Sequence, residues 1–88
     1  MTEQQIHDAV LEFLRTRIIF DSTRAIADDE SFLVSGILDS TGVLELIAFL
    51  EDTYSIQFQD AELVAANFDS LGNVSSFVAS KVNTTAVQ

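Results

Sequence analysis

Eighty-eight residues make one domain, and a chain this short buries only about 60–65% of its unfolded surface, so its core must be compact. An apolar fraction of 48% is too high for disorder, no uninterrupted run reaches the roughly 18 apolar residues of a transmembrane helix, and the lack of cysteine excludes disulfides and any thiol of the protein's own. Fourteen acidic residues against four basic ones give a net charge of −10, which repels nucleic acid and anionic membranes and leaves two readings open: partners with basic patches, or solubility alone.

The N-terminus, Met1-Thr2-Glu3-Gln4-Gln5, is acidic and polar and lacks the basic and apolar regions of a signal peptide, so a cytoplasmic protein is expected. Ile6, Ala9, Val10, Phe13, Leu14, Arg17 and Ile18 then recur at helical spacing, which predicts an amphipathic helix over 3–19. His7 lies beside that stripe. With no second histidine and no cysteine to join it in a metal site, it reads as a surface histidine.

Residues 20–39 form a connection long enough to be functional in so small a domain. Asp21-Ser22-Thr23 and Asp28-Asp29-Glu30-Ser31 are turn-like, while Phe32, Leu33, Ile37 and Leu38 should tack the segment to the core, with a short helical turn near Phe32-Leu33-Val34 broken at Gly36. Residues 40–54 carry the strongest helical pattern. Val43, Leu46, Ile47, Leu50 and Tyr54 form its buried face, and Glu45, Glu51 and Asp52 its polar side. Leu44 and Ala48 fall off the buried stripe, in line with Ser40 at i+4 and i+8, so Leu44 should be displayed beside Ser40.

Ser55-Ile56-Gln57-Phe58-Gln59 alternates like a strand, but no second strand is available, and it reads as an extended connector inserting Ile56 and Phe58. Asp60 is expected to cap a short helix, Ala61–Ala66, that Asn67 ends. Asp69 or Ser70 should cap a last helix with Leu71, Val74, Phe77, Val78 and Val82 inward. Residues 83–88 show no pattern and read as a flexible tail, leaving an ordered part of 3–82. The fold class is therefore all-α: a four-helix bundle of three longer helices and one short one, with a long loop between the first two.

Ser40, at the mouth of the 40–54 helix, is the most informative residue. A helix N-terminus favours phosphate through its unpaired N–H groups and the positive end of its dipole. Asp39-Ser40 is also an ordinary capping pair, and Ser40 as a mere N-cap remains an alternative. A nucleophilic role would need a base, yet nothing links His7 to Ser40 and Gly-x-Ser-x-Gly is absent. The acidic stretch Asp28-Asp29-Glu30 does not have the ligand pattern of a calcium loop.

Asp39-Ser40, followed by Leu44-Glu45-Leu46 and Leu50-Glu51-Asp52-Thr53-Tyr54-Ser55-Ile56, resembles the carrier-protein family of acyl carrier proteins, peptidyl carrier domains and D-alanyl carrier proteins. Phe32-Leu33-x-x-Gly36-Ile37-Leu38-Asp39-Ser40 is similar to the segment leading into the family's modified serine, and Ile56-x-Phe58-x-Asp60 and Asn67-Phe68-Asp69-Ser70-Leu71 to its later connectors. The likeness covers 5–82, with its specific part over 32–56. It implies a four-helix acyl-carrier bundle with 4'-phosphopantetheine on Ser40 and a thioester-bound cargo, a carrier in a biosynthetic pathway and not an enzyme. It also implies a partner face of Asp39, Thr41, Leu44, Glu45, Ala48, Glu51 and Asp52. Implied partners are a phosphopantetheinyl transferase, an acyl- or aminoacyl-activating ligase, and a downstream acyltransferase or synthase, with no membrane insertion. Thr41 and Gly42 depart from the usual leucine or methionine and acidic residue, and bring the motif closer to D-alanyl and other aminoacyl-type carriers. The short N-terminal lead and polar tail are those expected of a free-standing protein, and the charge favours a monomer. The competing reading is an unmodified acidic helical interaction module.

Overall fold

The computed structural model describes residues 2–21 and 23–87, with side chains through Asn83. Met1, Ser22 of the expected first turn and Gln88 of the expected tail lie outside the described residues. Helix α1 spans Glu3–Phe13 and is closed at its start by a capping box: the Thr2 hydroxyl accepts from the Gln5 N–H, and the Gln5 side chain accepts from the Thr2 N–H. The expected helix then widens into a π turn, Leu14–Ile18, marked by the Ile19 N–H bonding to the Leu14 carbonyl at 2.8 Å. Through the wider turn Ile18 stays half-buried against the core, while Arg17, which the periodicity placed on the apolar stripe, comes out to the surface.

The connection that follows contains α2, Phe32–Ser35, capped by Ser31 and ended by Gly36 at φ 81°, a left-handed position where a side chain would be strained. Helix α3, Ser40–Tyr54, buries Leu46 and Leu50 completely, as its pattern predicts, whereas Val43, Ile47 and Tyr54 are only half-buried. Ser55, in the left-handed region at φ 54°, ends α3. The extended connector beyond it carries Ile56 into the core, and among the described residues no strand forms.

The expected short helix Ala61–Ala66 is corrected by the structure into two separate turns. A 3-10 turn occupies Asp60–Glu62 and helix α4 occupies Ala65–Phe68. Leu63 and Val64 leave helical geometry between them, with Val64 extended at φ −115°, ψ 151°. The reason lies in tertiary anchoring on both sides. Glu62 is tied down by the Gln59 N–H at 2.8 Å and the Lys81 ammonium at 3.0 Å, which hold its carboxyl below the usual carboxylate range. Phe68 is drawn into an aromatic cluster, edge-on to Phe58 at 5.1 Å and to Phe77 at 5.7 Å. Asn67, expected to end the helix, instead bridges the two turns through its side-chain amide and the Glu62 carbonyl. Gln59, and not Asp60, precedes the first turn as its cap.

Helix α5 runs Leu71–Val87 and so continues through 83–87, the segment expected to be tail. Its cap is Ser70, whose hydroxyl accepts from the Asn73 N–H; Asp69 is used elsewhere. Helices α1 and α5 pack along each other, with Ile6 and Val10 of α1 and Leu71, Val74 and Val78 of α5 all fully buried, as is Leu14 at the start of the π turn. Helix α3 closes over this pair by side chains, with Phe49 stacked on Phe13 at 4.4 Å. Replacing Leu46 by Ala is expected to lower unfolding stability by about 2–5 kcal/mol, read by urea denaturation. A loss well under 1 kcal/mol would show that this face is not the core.

Candidate functional site

The path to Ser40 is built residue by residue. Gly36 turns the chain, Ile37 and Leu38 bury themselves, and the Leu38 N–H bonds back to the Phe32 carbonyl at 3.1 Å. Asp39 is then the N-cap of α3: its side chain accepts from the Gly42 N–H at 2.7 Å, and its carbonyl from the Val43 N–H. Ser40 is therefore not the cap but the first helical residue. It is exposed, and among the described residues its hydroxyl has no hydrogen-bond partner. With Gly42 and Val43 satisfied, the Ser40 and Thr41 N–H groups are left at the positive end of a fifteen-residue helix without an intrahelical acceptor.

Gly42 is buried, and a Cβ there would stand 2.9 Å from a methyl of Leu38. Glycine at this position thus answers to local packing, since it lets Leu38 lie across the first turn of α3.

Beside Ser40 opens a cavity of about 240 Å³, lined mainly by apolar groups: Val43 and Ile47 from α3, Leu33 from α2, Leu63 between the two later turns, and Phe68 from α4. The break at Leu63–Val64 contributes to this wall, so the corrected region belongs to the site. Asp69 stands at the same cavity, and its carboxylate accepts from the Ser31 hydroxyl and, at 3.1 Å, from the Leu33 N–H. Its carbonyl takes the Phe32 N–H at 2.7 Å. Sequence reasoning missed this role because Asp69 and α2 are nearly forty positions apart.

Most of the remaining expected partner residues line two adjoining grooves. Leu44 projects at 65% exposure. Asp39, Thr41 and Glu45 line a groove shared with Arg17, and Glu45, Ala48 and Asp52 line a second one, also with Arg17, floored by Phe13 and Phe49. Arg17 is the site residue that periodicity hid. Glu51 stands apart, half-buried and accepting the Phe58 N–H at 3.0 Å, so it fastens the connector to α3. Among the described residues no cluster of three His, Cys, Asp or Glu is arranged to hold a metal ion, and no helix is long and apolar enough to cross a membrane. A scan against protein-family models gives no match, and neither does a search of curated proteins.

Replacing Asp69 by Ala is expected to cost about 1.5–3 kcal/mol, because two donors lose a charged acceptor. Hydrogen exchange should speed at the Leu33 amide while the Phe32 amide, bonded to the main chain, stays protected. Unchanged exchange at Leu33 would mean that α2 is seated by other contacts.

Proposed function

We propose that this chain is a carrier protein bearing 4'-phosphopantetheine on Ser40 and passing acyl or aminoacyl groups between partner enzymes of a biosynthetic pathway. The supporting observation is the state of Ser40: an exposed hydroxyl with no hydrogen-bond partner among the described residues, at the first position of a long helix and at the edge of an apolar cavity. A serine serving as a cap would spend its oxygen on a backbone N–H, and here Asp39 does that.

The residues present fit the group. The Ser40 oxygen is free to attack the pyrophosphate phosphorus of coenzyme A in a transferase. A phosphorus–oxygen bond to serine forms, the bond to the adenosine bisphosphate leaving group breaks, and the serine proton passes to a base of the transferase. The negative charge then left on Ser40 meets the unpaired N–H groups of the first turn. When bound, the group supplies a thiol that holds cargo as a thioester, which a chain without cysteine cannot do itself. The cavity beside Ser40 can shield apolar parts of cargo or arm from water.

Docking falls to Leu44 as apolar anchor, with Thr41 and Ala48 keeping the face low and Glu45 and Asp52 as exposed charges meeting basic partners. Exposed pairs of this kind raise the encounter rate more than they strengthen the complex, which suits a protein that must leave each enzyme. Operation as a monomer accords with the high net charge.

Incubation of the full chain with coenzyme A, magnesium and a broad-specificity phosphopantetheinyl transferase should add one phosphopantetheine by intact-mass spectrometry, and Ser40→Ala should add none. An unmodified wild-type chain would leave the interaction-module reading. Leu44→Asp and Glu45→Lys should each slow the modification with helicity unchanged by circular dichroism, and wild-type rates in both would put the docking face elsewhere.

A further inference from the structure

His7 reads from sequence as a surface histidine, but its side chain is only 19% exposed and both ring nitrogens face carboxylates. Nε2 lies 2.7 Å from an Asp28 oxygen and Nδ1 lies 3.2 Å from an Asp8 oxygen. The Asp8 oxygen is steadied in turn by the Gln4 amide at 2.8 Å. A carboxylate oxygen only accepts, and a neutral imidazole has one N–H to give, so the ring satisfies both contacts only as the imidazolium.

The connection made by Asp28 reaches further than one contact. Asp28 sits late in the segment between α1 and α2, and its carbonyl accepts the Gly72 N–H at 2.9 Å, in the first turn of α5. The approach is close enough that a Cβ on residue 72 would stand 3.2 Å from that oxygen. One residue of the connection is thus bound to α1 by its side chain and to α5 by its main chain. A few residues on, the same segment becomes α2, whose Leu33 forms part of the wall beside Ser40.

We infer that His7 is a protonation-operated latch: its imidazolium, held between Asp8 and Asp28, pins the connection between α1 and α2 to the bundle, and loss of a ring proton, which leaves one N–H for two carboxylates, loosens that segment. The latch does not depend on Ser40 carrying any group. The ionisable neighbours are acidic on each side that has them. Asp28, with Asp29 next to it, comes from the connection; Asp8 and, one turn back, Glu3 come from α1; and α5 brings no ionisable side chain before Lys81, which is engaged with Glu62. Burial lowers the pKa of His7, but the hydrogen bonds and negative charge of Asp28 and Asp8 outweigh it, and the net shift is upward from the ordinary value.

The sign follows from linkage. A group whose pKa is raised on folding contributes stability that is complete below its unfolded value, about 6.5 for histidine, and lost as pH rises through the folded value. The latch is therefore closed in mild acid and opens on the alkaline side. Asp8 and Asp28 are themselves well exposed, so salt screens the contact and the opening is local, not global.

The test is a pH titration of the full chain by NMR, following the His7 ring and the amides of Asp28, Leu33 and Gly72. The expected result is a His7 pKa above that of the same chain unfolded in urea, amide shifts that titrate with the ring, and several-fold faster Gly72 exchange above the transition, after correction for the intrinsic pH dependence of exchange. Asp28→Asn should lower the His7 pKa, and His7→Gln should remove the amide transition; either variant serves if the other does not fold. A His7 pKa at or below the unfolded value, or amides at 28 and 72 that ignore the ring, would overturn the latch. Modification of Ser40 need not be measured, so failure here leaves the carrier proposal standing.

Discussion

The site depends on Asp69. Its carbonyl receives the Phe32 N–H and its carboxylate the Ser31 hydroxyl and the Leu33 N–H, so one residue ahead of α5 holds the whole start of α2. From that seat the chain has four residues, Gly36 to Asp39, in which to reach α3. Gly36 takes the left-handed turn, Ile37 and Leu38 drop into the core, and Asp39 caps. Ser40 stands where it does because each of these steps is fixed in turn. A connection of this length would otherwise be a loose loop, and a loose loop does not hold a hydroxyl in one place at the wall of a cavity.

The parts of this arrangement that are local were legible in the residues themselves. Leu46 and Leu50 announce their burial through helical spacing, and Leu44 announces its exposure by falling off that stripe. Gly36 as a breaker and the Asp39-Ser40 pair as a cap follow from backbone chemistry that acts over three or four positions, whereas Ser31, read only as part of a turn, proves to cap α2. What escaped the sequence is contact between distant segments. Asp69 looked like a cap for the helix it precedes, and it bonds to α2 instead, leaving Ser70 to cap. The aromatic cluster of Phe58, Phe68 and Phe77 and the Glu62–Lys81 pair pull one expected short helix into two turns, and no period in the sequence carries that information. Arg17 was misplaced for a different reason: a π turn changes the residue count per turn, so a pattern read at 3.6 assigns it to the wrong side.

The scarcity of cations gives the charge distribution its shape. Three of the four are engaged within the fold: Arg15 donates to the Arg24 carbonyl, Arg24 pairs with Glu30 at 3.2 Å, and Lys81 pairs with Glu62. Arg24–Glu30 ties together two parts of the connection before α2, and Lys81–Glu62 ties the 3-10 turn to α5. Most of the acidic surplus is consequently left facing solvent, and a basic surface approaching α3 meets Glu45 and Asp52 with few internal counter-ions to neutralise them.

Gly42 and Arg17 together alter how the thin negative charge next to Ser40 is understood. An acidic side chain at position 42 would have to displace the Leu38 methyl that lies 2.9 Å from where its Cβ would be, and Leu38 is what closes the core beneath the first turn of α3. The absence of a side chain at position 42 therefore has a packing cause. The charge that remains stands at Asp39, directly before Ser40, and then along the helix at Glu45 and Asp52, with Arg17 lining the grooves on that same flank. A flank that alternates in sign discriminates among partners better than a uniformly acidic one, because an evenly basic surface gains at Glu45 and Asp52 and loses at Arg17. The mixed-sign grooves, where Phe13 and Arg17 meet α3, and the apolar cavity beside Ser40 thus lie on opposite sides of Leu44.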